Sequence, residues 1–121
     1  MINFSKTEFD CKCSYDCGLG YEQMDGLFLT LLDTARTIAG VPFVLTSAIR
    51  CKRHNDEVGG KPGSSHLSGL AVDIYCAGST ERYHIISSLI SVGINRIGIG
   101  ADFIHCDADT AKPAPIIFDY Y

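Results

Sequence analysis

A chain of 121 residues with 46% apolar content has room for one domain whose core need not depend on disulfides. Its formal charge of −4, with no basic run, argues against a nucleic-acid binder that relies on phosphate neutralisation, and no apolar stretch approaches the ~18 residues of a membrane span. Met1 to Lys6 lack the basic start and apolar core of a secretory signal, so synthesis in the cytoplasm is expected, with release by another route if the protein acts outside.

Residues 1–20 combine three cysteines with glycine and serine turn formers and predict an irregular arm with one short strand at most. From Tyr21 to Ala39, Met24, Leu27, Phe28, Leu31, Leu32, Ala35 and Ile38 recur at three- and four-residue steps, which predicts an amphipathic helix ended by Gly40 and Pro42. Phe43 to Thr46 reads as a short strand with Ser47 and Arg50 at its exit. Cys51 to Ser64 is polar and predicts a surface loop with one helical turn around His54 to Val58.

From Leu70 to Tyr75 the residues alternate as in a strand, with Leu70, Val72 and Ile74 on one face and Ala71, Asp73 and Tyr75 on the other. Ser79 or Thr80 is the expected N-cap of a second helix, with Tyr83, Ile86, Leu89 and Ile90 as its buried stripe and Gly93 at its stop. Arg96 to Ile99 and Phe103 to Cys106 predict a hairpin around Gly100-Ala101-Asp102, and Ile116 to Phe118, after Pro113 and Pro115, an edge strand.

The chemistry concentrates around Ser64 to Asp73. His66 and Asp73 flank a Ser68-Gly69 bend that can bring an imidazole and a carboxylate together. A carboxylate within an apolar strand needs a partner, and a structural Asp–His hydrogen bond would satisfy it as well as a metal would. His105 supplies a third donor, and two imidazoles with one carboxylate have the composition of a catalytic zinc site that keeps a position open for water. A general base must then stand beside that water, with Asp102 and Asp107 as candidates. His54 and His84 read as surface histidines.

The six cysteines, Cys11, Cys13, Cys17, Cys51, Cys76 and Cys106, form no paired C-x-x-C knuckles, which speaks against a structural zinc ribbon. Cys11, Cys13 and Cys17 lie close enough in sequence for a metal or a disulfide, and without a signal most of the thiols are expected to be reduced.

The runs Thr46-Ser47-Ala48-Ile49-Arg50-Cys51, His54 to Gly60, Ser64 to Ile74, Arg96-Ile97-Gly98-Ile99 and Phe103-Ile104-His105-Cys106-Asp107 follow one another in an order that resembles the zinc D-Ala-D-Ala carboxypeptidase family. These are the M15-type murein peptidases, which include small phage endolysins. The resemblance implies a compact α+β domain with helices on one side of a small, mainly antiparallel sheet. It implies Zn2+ held by His66, Asp73 and His105, and hydrolysis of a peptidoglycan stem peptide, as a carboxypeptidase or an endopeptidase acting on the cell wall.

By the same analogy Arg50 steadies the substrate carbonyl or carboxylate, with Ser47 and Ser65 as further substrate-binding residues. Asp102 is then the base, an Asp where many relatives have Glu, and Asp107 orients a ligand from behind. A monomer is expected. The family's C-terminal aromatic is commonly Trp, and here Phe118 or Tyr120 would stand for it. Two rival readings are a non-catalytic zinc-containing binding or phage structural module of the same fold, and a redox protein using Cys11, Cys13 and Cys17.

Overall fold

In the computed structural model, which describes residues 1–120, one five-stranded sheet divides the molecule into an apolar side and a polar side. The strands are β1 (Leu45–Ser47), β2 (Ala71–Tyr75), β3 (Arg96–Ile99), β4 (Phe103–Asp107) and β5 (Ile116–Asp119), in the order β1-β2-β4-β3-β5. All pairs are antiparallel except β3 with β5. The expected α+β class and the hairpin of β3 with β4 are therefore present, and the C-terminal strand is an edge strand in parallel pairing.

Register explains the two sides. Opposed residues share a face, so Leu45, Ile74, Ile104 and Ile99 align across the sheet, beside the row of Val72, Cys106, Ile97 and Ile117. Ser47, Asp73, His105, Gly98 and Phe118 form a single row on the opposite face, one residue from each strand. A register shift between Leu45 and Ser47 leaves Thr46 exposed and turns Ser47 into that row.

Helix α1 (Gly26–Ala39) begins later than Tyr21, because the Asp25 side chain accepts a hydrogen bond from Phe28 N and fixes the N-terminus there. Tyr21–Gln23 is a separate 3-10 turn. Phe28, Leu32, Ala35 and Ala39 are buried, whereas Leu27 and Ile38, expected in the stripe, are exposed. The arm before α1 holds a 3-10 turn at Lys6–Phe9 and, among the described residues, no strand.

The helical turn expected around His54 to Val58 is present as a short helix, α2 (Lys52–Glu57), which starts two residues earlier and is capped by Cys51, whose sulfur accepts from His54 N at 3.4 Å. The third helix, α3 (Ser79–Ser91), is capped by Gly78, with Ser79 and Thr80 inside it. Its buried residues are Ile85, Ser88 and Leu89, while Tyr83 and Ile90 face solvent. Ser88 tolerates the core because its hydroxyl donates to Ile85 O at 2.8 Å. Helices α1 and α3 pack on each other, and α3 also meets β4.

Candidate metal centre

His66 is carried by a 3-10 turn, Ser65–Ser68, that ends at Gly69 with φ 72°. A side chain at Gly69 would collide with the Gln23 carbonyl, so this left-handed bend admits glycine alone and fixes the approach of His66 to β2. The His66 ring is buried, and its Nδ1 lies 2.8 Å from the Ala48 carbonyl oxygen. A carbonyl only accepts, so Nδ1 carries a proton and Nε2 is the nitrogen turned toward the centre. That nitrogen lies 3.3 Å from Oδ1 of Asp73.

His105 reaches the same oxygen from β4, with Nδ1 3.0 Å from Asp73 Oδ1. Its other nitrogen, Nε2, lies 2.7 Å from Oδ2 of Asp107. One ligand atom from each of His66, Asp73 and His105 falls within 4.8 Å of the other two. Both rings thus turn one nitrogen to a shared carboxylate oxygen and anchor the other on a fixed acceptor. This is the arrangement in which outer acceptors set the tautomers of metal-ligating histidines.

The charges around the centre follow from these contacts. Burial opposes ionisation of Asp73, but hydrogen bonds from His105 and His66 outweigh it and hold the carboxyl well below the usual range. Burial likewise disfavours a charged His105, yet its bonds to Asp107 and Asp73 raise its pKa. Asp107 is depressed despite burial by His105, Asp109 N and Arg96. The His105 ring thus lies between two carboxylates, Asp73 on Nδ1 and Asp107 on Nε2, and each favours its charged form.

Arg50 borders this centre. Its Nε donates to Ser47 Oγ at 3.0 Å, one terminal nitrogen to Asn55 Oδ1 at 3.3 Å, and the other lies 3.4 Å from Asp73 Oδ2. Ser65 is buried behind His66, donating to Asp109 Oδ2 at 2.8 Å and accepting from Lys112 Nζ at 2.7 Å. Asp102 lies exposed in the hairpin, and its backbone carbonyl accepts from Cys76 N. The cluster of ligand atoms does not include its carboxylate. His54 and His84 also stand outside the centre, the first half-buried on α2 and the second exposed on α3.

Several participants carry no local sequence signal. Asn55 is fully buried on the short polar helix α2, where its Nδ2 donates to Lys61 O and its Oδ1 accepts from Arg50. Arg96 donates from Nε to Asp107 Oδ1 at 2.8 Å, across the β3–β4 pair, and so fixes the carboxylate that fixes His105. Phe118 and Tyr120 lie with ring centroids 5.9 and 6.3 Å from the His105 ring. They can do so because Gly98 leaves the space: a Cβ there would fall 2.6 Å from Phe118 and 2.7 Å from Tyr120.

Residues 2–107 match the family model described as Peptidase M15, and the chain belongs to that family. A search of curated proteins returned no match. Membership in a family of peptidases makes peptide-bond hydrolysis the activity the family implies, and the matched segment contains His66, Asp73, His105 and Arg50.

Proposed function

We propose that the protein is a zinc-dependent peptidase that cuts a stem peptide of peptidoglycan, at a terminal D-alanine or within the stem, in the setting of a phage or prophage cell-wall-lytic protein. The observation that carries this reading is the convergence of His66 Nε2 and His105 Nδ1 on one oxygen of Asp73, a donor set that suits zinc and leaves a coordination position open. Bound there, zinc supplies Lewis acidity toward a carbonyl and acidifies a water.

The chain's own residues supply the rest. The Arg50 guanidinium, held by Ser47 and Asn55, presents a fixed charge to the substrate carbonyl or carboxylate. Asp107 has both oxygens committed, Oδ1 to Arg96 and Asp109 N and Oδ2 to His105, so it serves to orient His105 rather than to shuttle a proton. Asp102 has a free carboxylate, and we assign it to take the proton from the attacking water and return it to the leaving amine. Ser65, expected to bind substrate, has its hydroxyl committed to Asp109 and Lys112 and serves instead to fix the turn that carries His66.

Digestion of purified peptidoglycan by metal-loaded and chelator-stripped protein, with the products weighed by mass spectrometry, tests this. Stem-peptide fragments or free D-alanine released only by the loaded form are expected. The exposure of Asp102 favours one rival, a metal-binding module of the same fold without turnover. That rival is correct if the loaded protein binds peptidoglycan and releases nothing.

A further inference from the structure

The arm before α1 and the N-terminus of α2 meet at four sulfurs. Cys11, Cys13 and Cys17 lie in the arm before α1's Asp25 cap, and Cys51 arrives from beyond β1. One sulfur from each falls within 4.8 Å of all the others. We infer that Cys11, Cys13, Cys17 and Cys51 form a second, structural metal site for a thiophilic divalent cation such as zinc, separate from the centre of His66, Asp73 and His105.

Three observations carry this. All four cysteines are free and half-buried, whereas Cys76 and Cys106 are buried elsewhere in the core. A tetrahedral zinc with Zn–S bonds of ~2.3 Å needs sulfurs about 3.8 Å apart, so the observed cage has to tighten by about an ångström at most. Disulfides would single out two close pairs, but here every sulfur is near every other, which suits a central ion.

Backbone donors already face three of the sulfurs, although burial and the neighbouring thiols raise Cys11 and Cys17, so the ion itself must draw off their protons. Cys11 Sγ accepts from Cys51 N at 3.3 Å, Cys17 Sγ from Leu19 N at 3.5 Å and Cys51 Sγ from His54 N at 3.4 Å. Backbone N–H groups aimed at sulfur stabilise the charged ligand form. Cys13 Sγ instead donates to Tyr15 O at 2.9 Å, a bond that is given up when the thiol ionises and turns to the ion. On binding, the four thiols become thiolate ligands and their protons leave to solvent.

The position gives the site a purpose. Cys51 directly follows Arg50 and caps α2, the helix whose Asn55 holds the guanidinium. A metal there would pin an arm without regular strands to the segment that presents Arg50.

The test uses the full chain with His66→Ala, which removes a ligand of the other centre. Loaded with cobalt(II) under reducing conditions, this variant should show strong sulfur-to-metal charge-transfer absorption and the visible bands of tetrahedral cobalt, and Cys51→Ala should lose them. Should Cys51→Ala fail to fold, X-ray absorption at the zinc edge of His66→Ala gives a second reading, with an all-sulfur first shell expected. In the unaltered zinc-loaded protein, Cys11, Cys13, Cys17 and Cys51 should resist alkylation until a chelator is added. Absence of the charge-transfer band, a shell of nitrogen and oxygen only, or disulfides among these four cysteines in freshly reduced and reloaded protein would overturn the site. None of these readouts depends on peptidase activity, so either metal assignment can fail without the other.

Discussion

Asp73 and His105 face each other across β2 and β4, with His105 Nδ1 3.0 Å from Asp73 Oδ1, in the middle of a row that crosses all five strands. Strand register alone therefore places a ligand pair, and His66 has only to close over it from its turn.

The raised pKa of His105 and the depressed carboxyls of Asp73 and Asp107 predict the pH behaviour of the metal-free protein. The His105 contribution to stability is complete below the ordinary imidazole value and is lost as pH rises through the higher folded value. The carboxylate contributions are present above the ordinary Asp value and are lost as pH falls through the lower folded ones. Thermal melts of stripped protein should peak in the mildly acidic window between the two ordinary values. Zinc must displace the proton from His105 Nδ1, so apparent affinity at this centre should increase with pH up to the folded value of His105. A flat dependence would contradict the assignment of His105 as a ligand.

Asp107→Asn replaces an acceptor on which Nε2 of His105 depends. Metal affinity at this centre should fall by roughly 10–100-fold, with a smaller change in turnover per bound zinc. Equilibrium competition with a chromogenic chelator measures the first quantity, and turnover at saturating metal the second.

Arg50→Lys exchanges a guanidinium held by Ser47 and Asn55 for a point charge. Turnover should fall far more than the melting temperature, because the forked donor is lost while the fold keeps its cation. Equal turnover in the two proteins would remove Arg50 from the reaction.

Gly98→Ala puts a methyl group into the space that Phe118 and Tyr120 occupy beside His105. The rings must move, and a cost of about 1–3 kcal/mol in denaturant unfolding is expected. If stability and the near-ultraviolet signal of the aromatic residues are both unchanged, the packing of this corner is not as described.

Much of this could be read from the chain because its signals are local. The spacing of His66 and Asp73 around Ser68-Gly69, the hairpin around Gly100 and the periodicity of α1 each lie within a few residues of one another. The periodicity of α3 misled because Ile85-Ile86 and Leu89-Ile90 are adjacent apolar pairs, and which member of each pair is buried depends on how α3 meets α1 and β4. Helix α2 has no apolar face, and it forms around the Cys51 cap and buried Asn55 instead. The Arg96–Asp107 pair depends on the exact register of the β3–β4 hairpin, and the approach of Cys51 to Cys11 crosses 40 residues of chain, so no local pattern announces either.

Asp102 is where sequence and geometry say least to each other, since its carboxylate stands exposed beside the ligand strand. Asp102→Asn should keep fold and metal and lose roughly two or more orders of magnitude in turnover per bound zinc. If Asp107→Asn abolishes turnover at full zinc while Asp102→Asn is nearly silent, the two roles are exchanged.

The most direct measurement determines metal content and peptidoglycan-hydrolysing turnover together, in the unaltered protein and in His66→Ala. The account predicts that His66→Ala binds one zinc fewer per chain, stays folded and releases no product. A His66→Ala protein with an unchanged metal content and undiminished turnover would contradict the assignment of His66, Asp73 and His105 as the catalytic zinc centre.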